Sequence, residues 1–433
     1  MKKTLRRLLV LSSLFFTTNL MAQTNNYTAE WKKIEQFIQN GLPKSALEEI
    51  NKIMKLAIAH KNQPQQVKAA MYQLLYRRLV EEDAFEKNIY YLDTLISNTA
   101  PPAKNILQSI QAEFYWGYKQ ANRYKLYNRT ALEVENSKDI STWSLQKLNQ
   151  KTADLYQASL HPEDLLKTTN LNNFEAILQK GINSRQLRPT LYDLLAHRAL
   201  DYFMDSENDV TNPSYKFIIN DEKAFAPAAQ FAKVRFASKD STSLHLQALH
   251  ILQSLFKFHI ADNNTDALLD VNLKRLGFVN EHGIFNNKTA LYEETLKEIE
   301  KSYPTNPVTA QALYLRASMH MLKGNQYQPL TDTANQFEIK KALELCEVAI
   351  ANYPNSEGAI NCSNLVTQIK TGSLELQTEK VNVPHTPFRI WVQYKNIETV
   401  FFRAIKTTRQ ELKKLRNYND YQKLWAYLAT KKS

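Results

Sequence analysis

Apolar residues recur at intervals of three and four positions along most of the chain, which is the spacing of one face of an α-helix. Trp31, Ile34 and Phe37 fall on one such face, and the turn at residues 41–43 ends this helix and begins the next. Pro64 then opens a third periodic segment. Glycine is scarce, with 8 residues in 433, so few tight turns are available. The pattern predicts antiparallel helical hairpins joined by short connections.

A repeat in the second half of the chain indicates the same architecture. The segments YEETLKEIEKSYPTN and ALELCEVAIANYPNS superpose at an offset of 50 residues, and each carries a Tyr-Pro pair where the helical pattern ends, at Tyr303 and Tyr353. Helix pairs of this kind resemble tetratricopeptide (TPR) repeats, which stack into a solenoid. The spacing departs from the roughly 34 residues of that repeat, so an irregular, TPR-like solenoid is expected.

The pattern changes after Gly372. Between residues 374 and 405, apolar residues alternate with polar ones, which is the period of a strand with one buried face. Ile390, Val392 and Tyr394 share a face, and the run VFFRAI adds a third segment, so three antiparallel strands are expected. A β-sandwich needs about seven strands, and too few residues remain for the others. The predicted fold class is therefore mainly α, with an irregular helical-hairpin solenoid followed by a short, incomplete antiparallel β-sandwich segment.

These patterns divide the chain into five predicted parts. They are a signal peptide (1–22), a helical-hairpin block (23–204), an irregular insertion (205–242), a TPR-like helical block (243–370) and a partial β domain (371–433). The insertion is recognised because the helical period is interrupted between the two helical blocks.

The first 22 residues have the three parts of a secretory signal. Four basic residues between Lys2 and Arg7 form the positive end, residues 8–16 are rich in apolar side chains, and Ala22 occupies the cleavage position. A stretch of this length at about 1.5 Å per residue is too short for about 30 Å of hydrocarbon, so no membrane span is expected. No cysteine lies near the cleavage position, so no lipid anchor is expected there. The predicted location is the periplasm or the exterior of the cell.

The distribution of charge argues against a nucleic-acid partner. The net charge is +12 at pH 7, of which +4 belongs to residues 1–22 and +8 to residues 370–433, so residues 23–369 are neutral. Nucleic-acid binding normally requires a basic patch or a basic helix face, and the body of the chain offers neither. The basic end is interpreted as an ordinary segment of a domain, with an acidic membrane or partner as the alternative.

The two cysteines are placed to face each other. Cys346 and Cys362 lie eight residues on either side of Pro354, which falls in the turn between two predicted helices. The hairpin brings such positions together, and an oxidising compartment then favours a disulfide between them. The alternative is two buried thiols in separate core positions, since Cys346 aligns with the apolar Leu296 of the other repeat.

Motifs for catalysis, cofactors and metals are absent from the sequence. There is no GxSxG, HExxH or GxxxxGK, so no enzyme activity, cofactor or metal site is expected. His245 and His250 are about 140° apart on a helix, and His259 is more distant, so packing or surface roles are expected for them. The aromatic segment at residues 112–127 suits helix packing, with a binding groove as the alternative.

Four segments, in this order, resemble the N-terminal part of large bacterial alpha-2-macroglobulin-like proteins. They are WKKIEQFIQNGLPKSALEEI, KAAMYQLLYRR, ALELCEVAIANYPNSEGAINC and PFRIWVQYKNIETVFFRAIK. The resemblance extends from Trp31 to about Leu428. It implies an exported helical region followed by macroglobulin-like β-sandwich domains, with residues 371–433 as the partial first one.

The resemblance implies a family role in endopeptidase inhibition, with proteases as partners. In that family a protease cuts a bait segment, and in many members a thioester from a CxEQ motif captures the protease. Here Cys346 is followed by Glu-Val and Cys362 by Ser-Asn, so neither forms this motif. The expectation is the leading region of such a protein, truncated within its first macroglobulin-like domain and without trapping activity of its own.

A second interpretation is a free-standing periplasmic TPR-like module that binds protein. In this case the strands of residues 371–433 form a small appendix, which pairs with another chain through an exposed strand edge. Both interpretations expect protein partners and no catalysis, and they differ in where the remaining strands come from.

Overall fold

The computed structural model describes residues 27–127, 139–208, 214–328, 331–403, 405–406, 408–411 and 421–431. The predicted signal peptide lies outside the described residues. The described part is mainly α-helical and has a short antiparallel β segment near its C-terminal end, so the predicted fold class is confirmed. The chain divides into two compact units, the first ending at Ala312 and the second beginning at Leu313. The five predicted domain boundaries stay predictions.

The first unit is built from helices and short 3-10 turns. Its helices are α1 Thr28–Gln39, α2 Pro43–Ala59, α3 Gln63–Val80, α4 Ala84–Ser97, α5 Ala103–Tyr127, α6 Leu145–Ser159, α7 Glu163–Thr168, α8 Ser184–Leu187, α9 Leu191–Phe203, α10 Ala228–Phe231, α11 Leu244–Ala261, α12 Thr265–His282 and α13 Lys288–Ser302. The 3-10 turns are Ile140–Thr142, Leu171–Ile177, Ser206–Asn208 and Glu222–Phe225. Neighbouring long helices pack in pairs, α2 on α3, α5 on α6 and α11 on α12.

The N-terminal helices form where their apolar stripes can be buried together. Trp31, Ile34 and Ile50 belong to one cluster of buried side chains shared by α1, α2 and α3. The Trp31 indole Nε1 donates a hydrogen bond to Gln65 Oε1 at 2.7 Å, and the Lys68 ammonium lies 4.1 Å from the centroid of the Trp31 ring. Burial of one large apolar side chain contributes about 2 kcal/mol. Burial of the apolar stripe seen in the sequence therefore packs α1 against α2 and α3.

Aromatic residues of α5 pack against other helices and loops. Tyr115 stacks on Trp143 with ring centroids 5.5 Å apart, and Trp116 meets Tyr202 edge-on at 5.5 Å. Such pairs add about 0.5–1.5 kcal/mol each beyond their buried area. These rings serve packing, whereas Tyr124 nearer the end of the helix is exposed.

A buried arginine anchors the irregular insertion to the helices. Arg275 of α12 is fully buried, and its Nη1 donates to the Ala226 carbonyl at 2.6 Å while Nη2 donates to Asn272 Oδ1 at 2.8 Å. Its guanidinium carbon lies 4.5 Å from the ring centroid of Phe231 and 5.2 Å from that of Phe256. Burial lowers the pKa of Arg275 to about 9. The side chain is therefore still a cation at neutral pH, stabilised by a carbonyl, an amide and two ring faces.

The second unit contains the end of α14 Thr309–Gly324, the helices α15 Glu338–Asn352 and α16 Glu357–Lys370, the strands β1 Ser373–Thr378 and β2 Ile390–Lys395, and the helix α17 Tyr421–Thr430. Helices α15 and α16 pack on each other. The short Tyr353–Ser356 connection makes this pair an antiparallel hairpin.

The two Tyr-Pro sites repeat in backbone geometry as well as in sequence. Tyr303 follows α13 with φ −129° and ψ 54°, and Tyr353 follows α15 with φ −136° and ψ 54°. Each backbone N–H donates to a carbonyl of the last helical turn at 3.0 Å, from Ile299 and Ala349 respectively. The proline that follows cannot continue a helix. The Tyr-Pro pairs that repeat in the sequence therefore mark the same type of helix end, after α13 and after α15.

The sheet has two strands, and the prediction of a third strand in the VFFRAI run is wrong for its described residues. β1 and β2 pair antiparallel, with Leu374 opposite Tyr394. Residues 398–403 are irregular. Residues 400–402 are all apolar, whereas a half-buried strand alternates, and Arg403 Nη1 donates at 3.3 Å to the Ala429 carbonyl of α17. The segment therefore bonds to the C-terminal helix instead of extending the sheet.

Replacing Arg275 with alanine tests the anchoring of the insertion. We expect Arg275→Ala to reduce the free energy of unfolding by about 3 kcal/mol, because two buried acceptors lose their donor and a cavity forms between two rings. Urea denaturation measures the change. Lys257→Ala, which shortens an exposed side chain of α11, is the control and should cost less than about 0.5 kcal/mol. Equal stability of the Arg275→Ala protein and its parent would refute the anchoring role.

Candidate functional site

The candidate site is the β-hairpin, because its apolar face is uncovered. Side chains two positions apart in a strand share a face, and the β1–β2 register completes that face across the pair. The side chains of this apolar hairpin face are Leu374, Leu376, Thr378, Ile390, Val392 and Tyr394. Leu376 is 50% exposed and Tyr394 is 62% exposed. A sheet face of this composition normally packs against a second layer, so this surface is suited to receive one.

The opposite face of the hairpin is more polar. Glu375 pairs with Gln393 across the strands, and Gln377 pairs with Trp391. Gln377 Nε2 also donates to Glu375 Oε1 at 3.0 Å. Within the residues that the structure describes, the outer edge of each strand has no further strand beside it. The hairpin therefore offers a partner one apolar face and two strand edges, which are the features that strand addition uses.

The base of the hairpin is tied to the end of α16. Asn396 has a left-handed backbone with φ 53°, and its Nδ2 donates to the Ile369 carbonyl at 2.6 Å. Gly372, which links α16 to β1, lies so close to the other strand's end that an added Cβ would sit 3.3 Å from Ile397 Cγ1. The hairpin is therefore held in place at its base while its apolar face stays accessible.

The structure brings the two predicted site cysteines together. Cys346 of α15 and Cys362 of α16 are buried free thiols, and their side chains are hydrogen-bonded to each other across the hairpin. The hydrogen bond to Cys346 and burial together raise the pKa of the Cys362 thiol. The two thiols are therefore neighbours, and the disulfide between them stays a prediction.

A buried ion pair on His259 was missed by the sequence analysis. His259 of α11 donates from Nε2 to Asp193 Oδ1 at 2.8 Å, and its Nδ1 lies 3.2 Å from Asp262 Oδ2. The side chains of His259 and Asp193 are completely inaccessible to solvent. Asp193 also closes the capping box at the start of α9, where its Oδ2 accepts from the Thr190 backbone at 2.9 Å. Only an imidazolium can donate to two carboxylates at once, so this geometry favours the charged form of His259.

Two neighbouring histidines have opposite electrostatic environments. Burial alone would lower the pKa of His259, but its hydrogen bond to Asp193 and the charges of Asp193 and Asp262 raise it above the usual value. His197, one turn after Asp193 on α9, has no hydrogen-bond partner on either ring nitrogen within the described structure. Burial lowers the pKa of His197 well below its usual value, and the charge of Arg188 lowers it further. The surroundings of His259 therefore favour its charged form, and those of His197 favour its neutral form.

The chemistry available to these groups is structural. Both nitrogens of His259 are engaged by carboxylates, so neither can accept a proton from a nucleophile. The Ser254 hydroxyl, which lies on the same helix, donates to Glu163 Oε2 at 2.9 Å rather than to a histidine. Within the described ranges, no group of three or more His, Cys, Asp or Glu side chains could hold a metal ion.

Comparison of the chain with protein-family models, with curated proteins and with solved structures gives no match. The alpha-2-macroglobulin-like resemblance therefore still depends on the four sequence segments quoted above. Among the described helices, none is both long and apolar enough to cross a bilayer.

The His259 ion pair predicts a pH-dependent contribution to stability. Its folded-state pKa lies above the usual 6.5, so the contribution is complete below about pH 6.5 and is lost as the pH rises through the folded-state value. We expect His259→Gln to reduce the free energy of unfolding by about 3 kcal/mol at pH 6, because Asp193 is left buried without a counter-charge. The deficit should shrink at pH 9.

Denaturant titrations at the two pH values measure this effect. His250→Gln is the matched control, since His250 is an exposed residue of the same helix. A deficit for His259→Gln that is equal at pH 6 and pH 9 would show that the imidazolium contributes no charge-dependent stability.

The disulfide prediction is tested on the chain produced in an oxidising compartment. After denaturation, we expect Cys346 and Cys362 to resist alkylation until a reductant is added, and mass spectrometry detects the difference. Closing a loop of this length contributes about 3 kcal/mol, so the oxidised protein should be more stable than the reduced one by about that amount. Full alkylation of both thiols without reductant would contradict the disulfide.

Proposed function

We propose that this chain is an exported, non-catalytic protein-binding region of the alpha-2-macroglobulin-like kind, in which helical hairpins precede the beginning of a macroglobulin-like β-sandwich. The observation that carries the proposal is the apolar hairpin face, which is fixed at its base and uncovered. In this proposal the face is covered by strands of a further polypeptide segment, from the same molecule or another.

The energetics of the hairpin support such a partner. A two-stranded sheet is marginally stable on its own, and three or more strands or a packed layer are needed for independent stability. Covering half-exposed leucine and isoleucine side chains contributes about 1 kcal/mol each. Leu374, Leu376 and Ile390 together then contribute about 3 kcal/mol to binding, before strand-edge hydrogen bonds are considered.

The charge of residues 370–433 indicates which charged residues the partner should carry beside its strands. Residues 370–433 carry a net charge of +8, so a second copy of this segment is electrostatically unfavourable as the occupant. A partner with acidic residues around an apolar sheet face is complementary, and the attraction increases the rate of association at low salt.

In this proposal the family role, endopeptidase inhibition, is carried out by the assembled protein and not by this chain alone. Neither Cys346 nor Cys362 lies in a CxEQ motif, so no trapping residue is assigned to this chain. Its contribution is to bind the segment that completes the sandwich. Proteases are then partners of the assembly, and the isolated chain is not expected to inhibit them.

A free-standing helical-repeat module is the second candidate. The repeated helix ends at Tyr303 and Tyr353, with nearly the same backbone angles, favour it. In that case the hairpin pairs with a strand of a separate protein. The two candidates share the hairpin as the binding surface, and the identity of the captured segment separates them.

Capture from a cell-envelope extract tests the hairpin with a matched pair of variants. Val392→Lys places a charge on the apolar hairpin face, and Gln393→Lys places the same charge on the opposite face. We expect the parent and Gln393→Lys to retain one stoichiometric partner, and Val392→Lys to bind it at least about tenfold more weakly, since burying the ammonium costs more than about 1.4 kcal/mol.

Hydrogen exchange on the captured complex supplies the second measurement. Amides of β1 and β2 should become protected if strands are added to the hairpin. Equal capture by all three proteins would exclude the hairpin as the binding surface. Protease inhibition by the isolated chain would contradict the assignment of trapping to the assembled protein.

A further inference from the structure

A polar cleft opens between the first helices, remote in sequence from the hairpin. It has a volume of about 170 Å³. Its lining residues come from α2, α3, the residue that follows α3, and α4. They are Leu47, Asn51, Gln73, Arg77, Glu81 and Tyr91. The volume is below the roughly 300–1,000 Å³ of a pocket for a drug-sized molecule, so it suits one peptide unit rather than a cofactor.

A chain of hydrogen bonds orients the polar groups of the cleft. The Tyr91 hydroxyl donates to Gln73 Oε1, and Gln73 Nε2 donates to Asn51 Oδ1 at 2.7 Å. Gln73 is buried, so its amide cannot rotate without losing both bonds. The direction of donation is therefore set from Tyr91 through Gln73 to Asn51.

The two ends of this chain carry unused hydrogen-bonding capacity. Asn51 Nδ2 makes no hydrogen bond within the described structure, and Asn51 is exposed. The Tyr91 oxygen donates its only proton and keeps its acceptor capacity. The cleft thus presents a donor at one end and an acceptor at the other.

The cleft has no net charge. Arg77 Nε donates to Glu81 Oε1 at 3.0 Å, and the guanidinium carbon of Arg77 lies 4.7 Å from the centroid of the Tyr91 ring. The carboxylate balances the cation, and the cation holds the aromatic ring. Burial raises the pKa of Tyr91, so its phenol is protonated at neutral pH and supplies the first donor of the chain. A charged ligand would find no opposite charge here that is not already paired.

From this arrangement we propose that the cleft binds the main-chain N–H and C=O of one residue in an uncharged, extended polypeptide segment. These two groups point to the same side of an extended chain, so Asn51 Nδ2 donates to the carbonyl of that residue and the Tyr91 oxygen accepts its N–H. Leu47 provides the apolar wall for a short neighbouring side chain. The site lies on different helices from the hairpin and does not depend on the proposed function.

Titration of the full chain with N-acetyl-trialanine-amide tests the proposal. With ¹⁵N in the side-chain amides, we expect the Asn51 and Gln73 signals to shift and saturate together. Acetate and guanidinium ions are the charged comparison probes and should cause no saturable shift. Shifts that grow linearly with peptide concentration, or that match those of exposed Asn364 in α16, would overturn the proposal.

Two variants assign the contact to the residues at the two ends of the chain. Asn51→Leu removes the Nδ2 donor together with the acceptor of Gln73, and Tyr91→Phe removes the acceptor together with the donor to Gln73 and keeps the ring under Arg77; each should weaken peptide binding at least about tenfold. Asn364→Leu makes the same replacement at an exposed helical position outside the cleft and should leave binding unchanged. Unchanged affinity in Asn51→Leu, with circular dichroism confirming that it is folded, would exclude the cleft as the binding site.

Discussion

Burial of one apolar stripe per helix is the interaction on which most of this structure depends. Each helix can hide its stripe only against a neighbour, so helices such as α2 and α3 pack as hairpins. The connections are short, because glycine is scarce and proline begins several helices. Stability is therefore distributed over successive pairs of helices, as expected for a repeat architecture.

Polar groups inside the first unit are accommodated in two different ways. Arg275 is a buried cation that is stabilised by a carbonyl, an amide and two ring faces, and burial lowers its pKa to about 9. His259 is a buried cation between two carboxylates, and their charge raises its pKa. The difference follows from the presence of a counter-charge. Arg275 fixes the packing of α12 against the irregular insertion, and His259 fixes the packing of α11 against α9.

The hairpin exposes an apolar sheet face within the described chain. Its alternating sequence produces one apolar and one more polar face, and the apolar face meets no second layer. In a sheet this exposure is normally relieved by another sheet or a helix. The proposed function follows from this exposed apolar face. Peptide binding in the cleft between α2, α3 and α4 is proposed from its hydrogen-bonded polar side chains instead.

The sequence by itself determined the features that depend on local periodicity. The helical stripes, the helix ends at Tyr303 and Tyr353 and the alternation in β1 and β2 could all be predicted, because each arises within one element. The apolar run after β2 was misjudged, since propensity for a strand does not supply a neighbouring strand. Only the tertiary structure decided which helices meet. The contacts of Arg275, the His259–Asp193 pair and the Asn51–Gln73–Tyr91 cleft join separate elements, and no local period in the sequence records such distant contacts.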